Sequence, residues 1–185
     1  MTSSHRITRL ALAGAAAIVA ALPIAQAAQA KPVPPPVPTK IQVPAGNDVF
    51  LKRHATGVQI YTCSPTATGY SWGSSVPRAD LFNKHGMLRG THYAGPTWED
   101  QDGSKVVAAR VDGVTVDPTA IPWLLLKATP APGTHGKLGK TTYIQRVATT
   151  GGLPPAAADC NVTTVGTVAE APYTADYYFW KAKHA

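Results

Sequence analysis

Residues 90–110, GTHYAGPTWEDQDGSKVVAAR, gather a histidine, two aromatics and three carboxylates into one hairpin-like segment. Gly95-Pro96 breaks the chain, Thr97-Trp98-Glu99 is short and extended, and Asp100-Gln101-Asp102-Gly103 turns into a strand from Lys105 to Val111. Turns recur faster than any helix could complete its period, so the stretch reads as antiparallel β structure.

The flanking sequence repeats this rhythm. Val49-Phe50-Leu51 is a short β-type run, and Val58 to Cys63 alternates, with Val58, Ile60 and Thr62 on one face and Gln59, Tyr61 and Cys63 on the other. Tyr70-Ser71-Trp72, Ala79 to Asn83 and Met87 to Tyr93 follow, the last two joined by a turn at Lys84-His85-Gly86. Downstream, Asp112-Gly113 turns again. Trp123 to Leu126 is a continuous apolar run that reads as a strand buried on both faces or one turn of helix. Thr142 to Val147 alternates, Gly151 to Pro155 breaks, and Tyr177 to Trp180 is an aromatic strand suited to a core. No stretch holds four turns of helical period. The expected fold is all-β and mainly antiparallel: a single-domain β-sandwich or short barrel with long loops.

The chain begins with a targeting signature. Arg6 and Arg9 precede an apolar run from Leu10 to Leu22, and Ala28-Gln29-Ala30 is a small-x-small cleavage signal, so residues 1–30 read as a signal peptide removed near Ala30. The run is too short for a comfortable membrane span, and export to the periplasm or the extracellular space is expected without a transmembrane segment. Residues 31–44, KPVPPPVPTKIQVP, read as a proline-rich extended arm acting as a spacer, and residues 45–185 as the β domain.

Losing Arg6 and Arg9 with the leader takes the formal charge from +7 to +5. This mild basic excess suits an anionic envelope polymer or lipid headgroups as partner, but the bases form no stripe, so nucleic-acid binding is not expected. Cys63 and Cys160, the two cysteines, are expected to pair in an oxidising compartment. Closing a loop of roughly a hundred residues is worth on the order of 4–5 kcal/mol in the chain-entropy account.

Taken together, GVQIYTC (57–63), HYAGPTWE (92–99) followed by DGSKVV (102–107), IPWLLLKA (121–128), YIQRVATTGGLPP (143–155) with its following Cys160, and YYFWKA (177–182) resemble the DUF3455 family of exported bacterial and fungal proteins of unassigned function. The resemblance implies pairing of the two cysteines and supplies no catalytic residues. Some fungal members carry a malate dehydrogenase label, which this chain does not support: it has no glycine-rich dinucleotide fingerprint and no room for a cofactor domain. No cofactor is expected.

The best candidate cluster is His92, Tyr93, Trp98 and Glu99, with Trp72 as a second outward aromatic. Trp98 offers a stacking platform for a sugar ring and Glu99 a partner for its hydroxyls. Trp123 and Trp180, among apolar neighbours, read as core. The expected function is therefore a non-enzymatic envelope or extracellular binding domain for a carbohydrate or cell-surface ligand. The alternative is a small secreted hydrolase or metal-dependent enzyme using His92 and Glu99, with His85 as a further weak ligand. Asp100-Gln101-Asp102 opens like a calcium loop but lacks the remaining ligands, so a tight turn is expected there. Oligomeric state is not encoded in any motif of the chain.

Overall fold

A computed structural model describes residues 1–2, 31–130 and 135–183, so most of the expected signal peptide and part of the 130–140 loop lie outside the described residues. Residues Lys31–Ala185 make one compact unit. Its strands are β1 (Asn47–Thr66), β2 (Gly69–Trp72), β3 (Val76–Phe82), β4 (Leu88–Tyr93), β5 (Thr97–Asp100), β6 (Lys105–Val114), β7 (Trp123–Pro130), β8 (Thr141–Gly151) and β9 (Val168–Ala182).

All pairings are antiparallel, and each strand from β3 onward pairs with the next in sequence. β9 then returns to β1, from Asn47 opposite Ala182 to Thr62 opposite Val168. That last ladder closes the sheet into an eight-stranded barrel. β2 pairs with the far end of β1, and Gly73 N donates to Thr62 O, so β2 and β3 are one strand interrupted at Gly73–Ser75. Of the two expected architectures, the chain adopts the barrel. An eight-stranded barrel has an interior just wide enough to be filled by side chains or to hold one small ligand.

The two short runs expected at Val49–Leu51 and Val58–Cys63 are parts of the single strand β1. The polar residues between them hid its continuity. Arg53 points inward and is buried, with Nη2 2.6 Å from Asp100 Oδ2 on β5, and Lys137 Nζ lies 3.0 Å from the other oxygen, Oδ1. Gly57 lets β3 come close: a Cβ there would lie 2.2 Å from Arg78 O and 2.5 Å from Ala79 Cα.

The core lies inside the ring. Ala55, Leu81, Trp98, Val106, Leu126, Ile144, Tyr177 and Phe179 all face it. One end is plugged. Asp102 accepts from the Ser104 and Lys137 amides, Ser104 Oγ accepts from Leu138 N, and the Leu138 side chain is buried among the core residues. The expected tight turn at Asp100–Gly103 forms, and it serves this plug.

A second apolar layer lies outside the ring. Leu125 and Leu126 are both buried, as the continuous apolar run of β7 predicts for a strand covered on both faces. Outer cover comes from the proline-rich arm, whose Thr39–Ile41 forms a 3-10 turn against β6 and β7. Ile41 is wholly buried, its carbonyl accepts from Gln145 Nε2 at 2.7 Å, and Gln145 Oε1 accepts from Trp180 Nε1 at 3.0 Å. The end of the arm is thus seated on the barrel wall, where a plain spacer was expected. Among the described residues, no helix is long and apolar enough to cross a membrane.

Candidate functional site at the open end of the barrel

Opposite the plug, the ring opens into a cavity of about 400 Å³. Loops at that end supply its rim: the β4–β5 turn through Pro96, the β6–β7 connection through Ile121 and Pro122, and the β8–β9 connection through Leu153 and Pro154. Gln59, Tyr61, Trp98, Leu126 and Tyr177 form its walls.

The rim is pinned to the strands. Tyr61 Oη donates to Gly152 O at 2.7 Å, Thr149 Oγ1 donates to Ile121 O at 2.6 Å, and the Cys63–Cys160 disulfide ties the end of β1 to the β8–β9 connection. The pairing expected from the two cysteines is therefore present. Trp72 Nε1 donates to Ala156 O at 3.2 Å, so this half-buried indole braces the same connection from outside.

The sequence cluster at 92–99 divides between the two faces of the sheet. His92 stands opposite Trp98 in the β4–β5 ladder, and both point into the barrel. Tyr93 and Glu99, their immediate chain neighbours, necessarily point out. There Tyr93 Oη donates to Glu99 Oε2 at 2.8 Å, and Lys105 Nζ lies 3.2 Å from the same oxygen. The tyrosine hydroxyl and Lys105 hold the Glu99 carboxyl below its usual range, and Glu99 in turn raises both partners. This is an exposed ion-pair cluster on the wall of the barrel. His92 and Glu99 share no cleft, so the arrangement the hydrolase alternative needs is not formed. His85 lies in the β3–β4 turn, at the plugged end, and among the described residues no three potential metal ligands converge. Trp98, expected as an outward platform, is 1% exposed and cannot share a surface with Trp72. Trp180 is buried as expected, but beneath the arm rather than inside the ring.

Inside the mouth, His92 Nδ1 lies 2.8 Å from Thr97 O and donates to it, which leaves Nε2 as an acceptor. Burial lowers the imidazole pKa to about 3, outweighing the Thr97 bond, and the nearby Arg146 charge lowers it further, so the ring is neutral. Arg146 enters from β8, with Nε and Nη2 3.1 and 2.8 Å from Pro122 O. Burial raises the hydroxyl pKa of Tyr177 beside it, so that group stays a phenol. Arg110 reaches in from β6, where Gly113 makes room: a Cβ at that glycine would meet Arg110 Nη2 at 2.8 Å and Leu124 Cδ2 at 2.7 Å. Two arginines and a neutral histidine thus border a chamber whose lining mixes apolar side chains with Gln59, Tyr61, Ser74, Ser75 and Tyr177.

Sequence reasoning found His92 and Trp98 and missed Gln59, Tyr61, Arg110 and Arg146. A charged residue in the middle of the otherwise apolar run YIQRV was the available signal for Arg146, since a charge in a buried strand needs a reason.

No curated protein and no solved structure matches this chain. The sequence model of one family does, described as a protein of unknown function (DUF3455), over residues 44–181. That span runs from the end of the arm through β9 and takes in the whole barrel, so the chain belongs to the DUF3455 family.

Proposed function

We propose that this is an exported binding protein that holds a small molecule in the mouth of its barrel and does no chemistry on it. The observation that carries the reading is the cavity of about 400 Å³ at the open end, in which apolar side chains alternate with fixed polar groups. Ligand chambers have this size and character, and eight-stranded barrels are one of the settings in which they occur. Support for export comes from the leader signature at residues 1–30 and from the disulfide, which persists in oxidising compartments. Support for binding over catalysis comes from the separation of His92 and Glu99 to opposite faces and from the burial that makes the His92 imidazole a very weak base.

The test is a thermal-shift and fluorescence screen of the mature protein against small apolar and amphipathic compounds, repeated on Leu124→Trp. Leu124 is half-buried at the rim, so the larger ring obstructs the mouth. Ligands that stabilise the native protein should fail to stabilise this variant. Undiminished binding to Leu124→Trp would place the site elsewhere.

A further inference from the structure

The lining of the chamber is lopsided in charge. Arg110 and Arg146 both reach it, and among the described residues no aspartate or glutamate lines it. Arg146 is held in place by Pro122 O, so its guanidinium is oriented before any ligand arrives. Apolar walls from Ile121, Leu124 and Leu126 lower the local dielectric, and a fixed cation in such a setting attracts an anion far more strongly than it would in water.

The deeper walls are closed to a ligand: Gln59, Trp98 and Tyr177 are each 1% exposed, so contacts fall on the rim and on the two arginines. The chamber thus offers surplus positive charge beside apolar side chains. A neutral sugar brings no charge to match it.

We infer that the barrel mouth binds a small organic monocarboxylate, with its carboxylate on Arg110 and Arg146 and its apolar body against Leu124 and the rim residues Pro122 and Leu153. The inference rests on the reading of the barrel as a ligand binder and specifies what it binds.

The experiment compares isosteres on the full mature protein by isothermal titration at low salt: 1-naphthoate and decanoate against 1-naphthalenemethanol and decanol. At least one carboxylate should bind about tenfold or more tightly than its alcohol, weaken with rising salt, and weaken about tenfold in Arg110→Gln. Equal binding of acids and alcohols would overturn the anion inference and leave the binding proposal standing. Absence of binding by all four compounds would overturn both.

Discussion

The His92 imidazole lies flat on the Trp98 indole, with ring centroids 4.0 Å apart and planes 12° from parallel, and the Tyr177 ring meets both edge-on. Such a stack inside a barrel excludes the water that a charged imidazole would need. Because the folded-state pKa of about 3 lies below the ordinary histidine value of 6.5, the unfolded chain binds the extra proton first. The stability contributed by the neutral ring is complete above the unfolded value and is lost as pH falls from 6.5 towards 3. By pH 4 the loss should reach about 3 kcal/mol, at about 1.4 kcal/mol per pH unit. Urea unfolding at pH 7, 5.5 and 4 should show that slope in the native protein and a shallower one in His92→Asn; parallel slopes would contradict the assignment.

Asp100 and Arg53 should respond unequally to mutation. Asp100 is shared by Arg53 and the half-exposed Lys137, whereas among the described residues the buried Arg53 head group donates to Asp100 and Lys52 O alone. Asp100→Asn leaves a buried guanidinium without its counter-charge and should cost about 3–5 kcal/mol. Arg53→Met leaves Asp100 with Lys137 and should cost less. Chemical denaturation of the two variants decides the order.

Gly57→Ala tests how tightly β1 and β3 are drawn together. The added methyl meets backbone atoms, which cannot rotate aside, so the strands themselves must separate. A loss of at least about 2 kcal/mol is expected, at or beyond the upper part of the usual overpacking range. A melting temperature close to that of the native protein would show that the wall flexes freely there.

The seated arm should matter to stability. Ile41→Ala removes a fully buried side chain from the outer layer and should cost about 2–4 kcal/mol, with the barrel retained by circular dichroism. An unchanged midpoint would return the arm to the role of a spacer.

Much of the fold was legible because strands alternate and turns announce themselves: the Val58–Cys63 alternation, the Lys84–Gly86 turn and the doubly buried Leu125-Leu126 all survive in the structure. Closure was not legible, since the β1–β9 ladder joins opposite ends of the domain and leaves no local trace. The inward face of β1 misleads for a chemical reason. Arg53 and Gln59 look like solvent residues, yet one is neutralised by Asp100 and the other borders the chamber. At 92–99 the error was one of parity: chain neighbours on a strand face opposite ways, so His92 with Tyr93, or Trp98 with Glu99, never made one site.

The ring of strands is shut by its first and last members, from Asn47 with Ala182 to Thr62 with Val168. As the chain emerges from a ribosome or a pore, amino end first, β1 must wait for its outer partner until nearly every other residue has passed. Each preceding hairpin can form locally, but none encloses a core, and the long-range contact that does so is the slowest kind to make. The polypeptide therefore remains threadable until its final strand is delivered, and the arrival of residues 168–182 sets the moment at which it becomes a folded protein.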